Sequence, residues 1–396
     1  MVTLIMHSRF AALVPMVIVM GMSIPQGFIQ AQEDGNFTDE MLEELLFGKG
    51  LEEEVEKKPS QWSKNLNLML GGGHSDNPLQ GPHLQTEAGF AAASVDAFFL
   101  RMGKDSSVLY LYLYGEGNYY SGIPSLDLTG IALAQAEYSV TSPKTGIGRG
   151  IRLRHTYYDM VFDMSENLDS PYSFMVQSNK SEMRPFVSFP LGEGLTGTLE
   201  LAAARDVYAM SSEDYGEKEL RSILKWKGEE DKALSFYIFS RWKDYDERLQ
   251  RNRYGFSMDS TSETRTVGSG INASRNLGKE DDWEVSLSGH VHKTTDNAGG
   301  YYDYTSLNGN LKLSRKIGRW TLSANLRASH SEYDIRKTSA DELFKRNGFA
   351  TEFEADRKIN EKWNIFALWK SERDDSNNPN YEYEANVFSA GMKWSN

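Results

Sequence analysis

Residues 283–292 read Trp283-Glu284-Val285-Ser286-Leu287-Ser288-Gly289-His290-Val291-His292, and apolar and polar side chains alternate along this stretch. A period of two is the pattern of a β-strand with one apolar and one polar face. We expect Trp283, Val285, Leu287 and Val291 on the outward face, and Glu284, Ser286, Ser288, His290 and His292 on the other. Such a polar face is too polar to pack as a dry core, because buried polar groups need partners, so the sequence predicts a wet interior.

The same period continues from Trp62 to the C-terminus. In Trp320–Arg327, for example, it places Leu322 on the outward face and Ser323 on the inward face. Its segments of about 9–13 residues match the ~9–11 residues with which a tilted strand crosses a bilayer. They begin near Trp62, Phe90, Val108, Leu126, Ile147, Gln177, Thr196, Lys218, Leu234, Thr266, Trp283, Thr305, Trp320, Gly348, Trp363 and Glu384. The pattern predicts an all-β fold, a transmembrane antiparallel up-and-down β-barrel of about 16 strands.

The connections between segments alternate in length, as they do in membrane barrels with short periplasmic turns and longer outer loops. Short turns are expected at Gly103–Asp105, Gly228–Asp231, Ile317–Gly318 and Ile359–Glu361. Longer connections are expected at Leu79–Thr86, Met164–Met175, Leu249–Arg265 and Asp334–Asn347. This order of short and long connections is expected to place both chain ends on the periplasmic side.

The positions of the tryptophans support the same orientation of the strands, because amphipathic rings form two aromatic girdles at the membrane interfaces. The girdle at the periplasmic edge is expected to contain Trp62, Trp226, Trp283, Trp320, Trp363 and Trp394. Trp242 and Trp369 lie further along their strands and are expected in the outer girdle. Tryptophans scattered through a soluble core would show no such arrangement.

Composition excludes several other classes of protein. Of the 396 residues, 39% are hydrophobic, and after residue 31 no apolar stretch approaches the ~18 residues of a membrane helix. The chain has no cysteine, which excludes thiolate chemistry, iron–sulfur clusters and a lipidated cysteine anchor. A net charge of −13 argues against binding to nucleic acid.

The first sixty residues do not follow the strand period. Residues 1–31 have the charge and apolar pattern of a signal peptide cleaved after Ala31, with an N-terminal membrane anchor as the alternative. Residues 32–60 are predicted to be a periplasmic acidic segment with an amphipathic helix at 37–58. The acidic run of that helix is either a solvated face or a docking surface for a periplasmic partner. Residues 61–396 form the predicted barrel domain.

Charged residues on the inward register are the candidate pore-lining residues. The cations are Arg152, Arg154, Arg221, Lys225, Arg241, Lys243 and Arg327, and the carboxylates placed opposite them are Glu284, Glu352, Glu354 and Asp356. Two walls of opposite sign would create a transverse field that orients charged or dipolar solutes. In the alternative interpretation, these charges pair with each other and keep the interior solvated.

Three further groups were considered for binding or catalysis. Tyr110, Tyr112 and Tyr114 alternate with leucines, so they form either a path for sugars or a packing surface against an infolded loop. His290 and His292 share a face, but two imidazoles without a carboxylate make an incomplete metal site. The register of His155 is compatible with the outward face, where a lipid-cleaving enzyme would need it, but no serine partner can be identified from sequence. No enzymatic activity, metal or cofactor is predicted.

The glycine-rich segment Leu70-Gly71-Gly72-Gly73-His74-Ser75-Asp76-Asn77-Pro78 closes the first strand. Here the chain resembles outer-membrane β-barrel porins and, more distantly, the barrels of surface-lipoprotein assembly modifiers and exopolysaccharide exporters. The export and assembly barrels usually carry a helical-repeat periplasmic domain, whereas only one short helix is expected here, at 37–58. The segment is also what a strand that bends and ends in an Asn-Pro turn requires.

The final strand, with Phe388, Ala390, Met392 and Trp394 on one face, resembles the terminal strand read by the barrel-assembly machinery. Together these features predict an exported protein of the outer membrane, surrounded by outer-membrane lipid. Its expected function is a water-filled channel for passive diffusion of small hydrophilic solutes. The alternative is an outer-membrane component of a system that exports or assembles a polysaccharide or surface protein.

Overall fold

A computed structural model describes residues 62–80, 86–123, 126, 128–163, 173–228, 232–277 and 282–396. The described residues form sixteen strands, each antiparallel to its neighbours in sequence, and β1 pairs with β16 to close a barrel. The strands are β1 (Trp62–Ser75), β2 (Ala88–Met102), β3 (Ser107–Tyr120), β4 (Leu128–Thr141), β5 (Gly148–Asp163), β6 (Ser173–Gly192), β7 (Leu195–Tyr208), β8 (Tyr215–Lys227), β9 (Ala233–Arg251), β10 (Ser257–Leu277), β11 (Trp283–Asp296), β12 (Tyr304–Ile317), β13 (Trp320–Lys337), β14 (Leu343–Lys358), β15 (Trp363–Ser376) and β16 (Tyr383–Ser395). The predicted fold class is confirmed.

The predicted N-terminal features lie outside the described residues. These are the signal peptide at 1–31 and the helix at 37–58. Within the described parts of the chain, no helix is long and apolar enough to cross a membrane.

Four strands begin at the predicted tryptophans Trp62, Trp283, Trp320 and Trp363. Other boundaries were wrong, most of all for β10, which begins at Ser257 instead of Thr266. This start lies at the end of the barrel away from Trp62, which we call the outer end. Residues 257–265 are almost entirely polar, yet they continue the ladder with β9 through irregular pairing. Outside a bilayer a strand pair needs no apolar face, so the alternation that marked the other segments is missing there. For this reason the outer loops predicted at Leu249–Arg265 and Asp334–Asn347 are shorter than expected and comprise residues 252–256 and 338–342.

Two of the turns at the end of the barrel where β1 begins and β16 ends contain only two residues, Glu193–Gly194 and Gly318–Arg319. Gly194 and Gly318 have φ of +67° and +60°. Tight hairpins need this left-handed conformation, which glycine adopts without steric cost. The turn predicted at Ile317–Gly318 is therefore confirmed, one residue further along the chain.

The glycine-rich segment forms part of the seam between β1 and β16. A Cβ on Gly71 would lie 2.9 Å from the Ala390 carbonyl oxygen, so only glycine allows this approach of the two backbones. Immediately after β1, Asp76 accepts hydrogen bonds from the Asn386 backbone N–H at 2.6 Å and from its side-chain amide at 2.9 Å. The next residue, Asn77, donates from Nδ2 to the Glu384 carbonyl at 3.0 Å. The segment predicted as a bend and turn thus fastens the first strand to the last.

Candidate functional site

The two faces of the barrel wall differ in polarity. Large apolar side chains lie exposed on the outward register, among them Leu153, Leu201, Ile238, Leu287 and Phe349. Six tryptophans lie on the same face with 37–43% of their surface exposed, namely Trp62, Trp226, Trp242, Trp283, Trp320 and Trp363, while Trp369 and Trp394 are partly buried. An apolar belt bordered by aromatic rings on the outside of a closed barrel is the surface of a membrane-spanning barrel.

On the inward register, β6 to β9 carry a set of charged side chains that we call the arginine–glutamate cluster. Its centre is Arg184, whose guanidinium donates to Glu182 at 3.0 Å, Glu219 at 3.0 Å and Glu200 at 3.2 Å. Glu219 also accepts from Arg221 at 3.0 Å and from Arg241 at 2.9 Å. These side chains are at least nine-tenths buried. Each buried charge of the cluster has opposite charges within hydrogen-bond reach, which offset the cost of removing it from water.

Other inward charges are also paired along the wall. Arg152 Nε donates to Glu137 at 2.8 Å, and Arg154 Nε donates to Gln135 Oε1 at 2.8 Å. On the opposite side of the barrel, the ion pairs are Arg346–Asp374 at 2.6 Å, Lys370–Glu372 at 2.8 Å, Arg327–Glu352 at 3.8 Å, and Lys393 with Asp356 at 2.9 Å and with Glu354. Because both signs are interleaved on each wall, the expected arrangement of one positive and one negative wall is wrong, and the interpretation as ion pairs applies.

The predicted pore-lining residues all lie on the inward register, in three environments. Arg152, Arg154, Arg221, Arg241, His292 and Glu352 are buried, and Lys243, His290, Arg327, Glu354 and Asp356 are partly buried. Lys225 and Glu284 are exposed, near the end of the barrel where β1 begins and β16 ends. Sequence reasoning missed the carboxylates that separate the cations, namely Glu137, Glu182, Glu200, Glu217 and Glu219.

The three tyrosines of β3 form an inward apolar group, the tyrosine cluster, with side chains of the next strands. Tyr110, Tyr112 and Tyr114 are only 3–5% exposed. They pack with Ile131, Leu133, Tyr158 and Val176. The buried partners among the described residues lie on β4 to β6, and the rings are too buried to present a continuous surface to a passing solute. The sugar path on this strand is therefore not supported.

A different surface lines the inside of β10 to β13, and we call it the hydroxyl–amide face. Its side chains are small, uncharged, polar and partly buried: Thr264, Thr266, Asn272, Ser286, Ser288, Asn308, Asn310, Ser314, Ser323 and Asn325. One row runs across β10 to β12, since Asn272 pairs with Ser288 and Ser288 pairs with Asn310, and it ends at Arg327 on β13. Partial exposure of polar groups on the inside of a closed wall indicates a hydrated surface.

The histidine pair on β11 lies at the outer end of this face. The rings of His290 and His292 are stacked with centroids 5.7 Å apart, and His290 Nε2 hydrogen-bonds the Asn308 amide at 2.9 Å. Among the described residues, no group of three or more His, Cys, Asp or Glu side chains has a geometry that could hold a metal ion.

His155 has the serine neighbour that the sequence did not reveal. On the outward face, His155 Nδ1 lies 2.9 Å from the hydroxyl oxygen of Ser181, the residue opposite it on β6. A serine nucleophile needs a base that is itself oriented by a third group. In the part of the chain that the structure describes, no third side chain hydrogen-bonds this imidazole, so the pair is not a complete catalytic set.

At the outer end, inward aromatic and arginine side chains connect neighbouring strands and loops. The Arg248 guanidinium lies 4.8 Å from the Tyr245 ring and 4.5 Å from the ring of Tyr302, in the connection between β11 and β12. It also pairs with Glu213, in the connection between β7 and β8, at 3.8 Å. Burial raises the pKa of the Glu213 carboxyl group, and the charge of Arg248 partly offsets this shift. These contacts hold two outer connections against the barrel.

Comparison with known families and structures gives a partial match. Residues 298–395, which include β12 to β16, match the family described as "Protein of unknown function, DUF481". No curated protein matches the sequence.

Solved structures with a similar fold include OccAB1 of Acinetobacter baumannii, at 7% identity and a TM-score of 0.44, covering 87% of this chain and 99% of that one. A loop-deletion mutant of OmpT, an outer membrane protein of Vibrio cholerae, has 9% identity and a TM-score of 0.42, covering 85% of this chain and 100% of that one. BamA from Haemophilus ducreyi lacking POTRA domains 1–3 has 11% identity and a TM-score of 0.44, covering 85% of this chain and 71% of that one.

Proposed function

We propose that this protein is an outer-membrane channel through which small hydrophilic solutes diffuse passively along the hydroxyl–amide face. The observation that carries the proposal is the contrast between the two faces of the closed barrel. Apolar side chains are exposed outside, whereas partly buried serine, threonine and asparagine side chains line the inside of β10 to β13. A barrel of about 16 strands is wide enough to enclose an aqueous channel.

The inner wall also indicates where solutes would pass. The tyrosine cluster is dry, and the arginine–glutamate cluster is internally paired and buried. Neither offers polar groups for a moving solute. The hydroxyl–amide face does, because hydroxyl and amide groups both donate and accept hydrogen bonds. Such a surface replaces the water around an uncharged or weakly charged solute without binding it tightly.

Planar-bilayer recording of the purified full-length protein tests the proposal. We expect stepwise conductance, with smaller steps for Ser288→Trp because Ser288 lies inward on β11 in the row of Asn272 and Asn310. Leu287→Trp is the matched control: the adjacent residue is outward and 51% exposed, so its step size should equal that of the unmodified protein. Absence of steps at every voltage, or equal steps from both variants, would contradict the proposed path.

A further inference from the structure

The outward face of β8 to β12 has a depression that we call the outer groove. It has a volume of about 570 Å³. Its outward side chains are Leu220, Ser222, Ile238, Ser240, Val267, Ser269, Val291, Lys293 and Thr305. The depression arises because small serines stand between large aliphatic side chains on neighbouring strands: Ser240, for example, pairs with both Leu220 and Val267. The volume is within the range of ligand sites, about 300–1,000 Å³.

Two cations border the groove on the side of the outer end. Lys218 and Arg265 both pair with Trp242, so the three residues form one row across β8, β9 and β10. Both side chains belong to exposed residues, and within the described residues neither has a carboxylate partner. Arg265 lies over the Trp242 ring at 5.5 Å. Tryptophan marks the interface of a membrane barrel, so this row lies at headgroup depth.

The acidic groups around the row are located beyond it. Asp244 and Glu263 are opposite each other on β9 and β10, one outward position further toward the outer end. Lys293, which also borders the groove, is paired with Asp334. Lys218 and Arg265 are therefore the cations available to an anionic group that approaches from the apolar side.

Ser240 adds a polar group between the cations and the apolar floor. Its hydroxyl oxygen is buried and has no hydrogen-bond partner among the described residues. A buried hydroxyl without a partner is costly, and a ligand carbonyl above it would remove that cost. Along β9, from the rim inward, the row of cations is followed by the Ser240 hydroxyl and then by the aliphatic side chain of Ile238. A phosphorylated lipid has the matching order of phosphate, ester or amide carbonyl, and acyl chain.

We propose that the outer groove binds an acylated glycolipid with two phosphate groups in the outer leaflet. This inference rests on the membrane location given under the proposed function. The two cations stand two strands apart, about 10 Å at the usual strand spacing. The Trp242 ring lies between them. A headgroup with two phosphates contacts both cations across this ring, whereas a single phosphate would have to displace it.

Native mass spectrometry of the full chain in detergent, with lipid A in its bisphosphorylated form as the probe, tests this assignment. We expect Lys218→Gln and Arg265→Gln each to weaken binding about fivefold, as for one basic residue at an anionic lipid surface. Ser240→Leu should abolish binding by filling the groove, and leucine is well tolerated on a lipid-facing surface. The matched controls are Arg149→Gln, an exposed outward cation near the opposite end, and Ala367→Leu, an exposed outward position on the far wall. Neither control should change binding.

The outcomes separate the lipid site from the channel. Equal binding of phosphatidylglycerol and bisphosphorylated lipid A would overturn the assignment of a bisphosphate headgroup. A homodimer that Ser240→Leu disrupts would show that a second copy covers the groove instead. Binding is measured in detergent and does not depend on conductance. If the protein shows no conductance but binds lipid A with the expected effects of the variants, the lipid site stands and only the channel proposal is contradicted.

Discussion

Leu322 and Ser323 are adjacent on β13, share the same depth, and point to opposite sides of the wall. Leu322 is 43% exposed on the outward face, whereas the Ser323 hydroxyl donates to the Ser314 hydroxyl at 3.2 Å on the inside. Arginine on the lipid-facing side costs roughly 2–4 kcal/mol at the middle of the membrane and about 0–1 kcal/mol near the interfaces, whereas an inward arginine can be solvated. Leu322 is one outward position inside the interfacial Trp320, so the cost should lie between these limits. We expect Leu322→Arg to impair folding more than Ser323→Arg, measured as heat-modifiable mobility in gels. Equal folding of both variants would mean that the register of β13 is wrong.

Arg184 illustrates the opposite environment, a charge held entirely by protein groups. It is 1% exposed and contacts Glu182, Glu200 and Glu219. Removing one partner from a buried ion network costs about 3–5 kcal/mol, because the remaining charges are left unpaired. We expect Arg184→Met to lower the free energy of unfolding by this amount in urea titrations followed by tryptophan fluorescence. Arg149→Met, at an exposed position on the preceding strand, should change it by no more than about 0.5 kcal/mol.

At the scale of elements, the seam between β1 and β16 depends on contacts that follow the glycine-rich strand. Asp76→Ala removes both hydrogen bonds to Asn386. Hydrogen bonds to a charged group contribute about 1.5–3 kcal/mol each, so local opening at the seam should become easier. We expect faster hydrogen exchange in β1 and β16 with unchanged exchange in β8 and β9. Asp105→Ala, in the turn between β2 and β3, is the control, and equal acceleration throughout the barrel would contradict a role confined to the seam.

Strand boundaries were predictable where an interfacial tryptophan precedes alternating apolar and polar residues. Trp62, Trp283, Trp320 and Trp363 begin their strands as expected, because a tryptophan at the interface marks the start of an alternating segment. The outer parts of β6, β10 and β14 were not predictable from period alone. Beyond the bilayer, backbone pairing continues without an apolar face, and polar strands then look like loops.

The candidate site was predictable in part, for a similar reason. Alternation gave the inward register of Arg221 and Arg241, but the neutralising carboxylates were overlooked, although two of them stand two residues from a cation. Glu182 precedes Arg184 and Glu219 precedes Arg221 in this way, which is the spacing of neighbours on one face of a strand. Contacts between distant strands, such as Arg184 with Glu219, depend on register across the barrel and have no local signal.

For the whole molecule, the interior is asymmetric. From β3 to β9 the inward side chains form the tyrosine cluster and the arginine–glutamate cluster, both mostly buried. From β10 to β13 many of them are small, polar and partly exposed, with the cations Lys312 and Arg327 among them. The wall therefore combines a well-packed part, which stabilises the closed barrel, with a more polar part along which we propose that a solute moves.

This asymmetry determines the expected ion selectivity of the channel. Most inward charges are neutralised within the wall, and the side chains that define the hydroxyl–amide face are uncharged, so a salt gradient should give a reversal potential near zero in planar-bilayer recording. Lys312 on β12 is an inward, partly buried cation within that face, where it pairs with Ser286 and Asn325. Reversing its charge adds a negative potential along the hydrated path and should favour cations. Arg315→Glu makes the same change of charge on the outward face, where Arg315 lies 4.8 Å from the Trp283 ring, and should leave selectivity unchanged. A strongly selective unmodified channel, or equal shifts from Lys312→Glu and Arg315→Glu, would show that ions do not follow β10 to β13, because only a path along those strands distinguishes the two faces of β12.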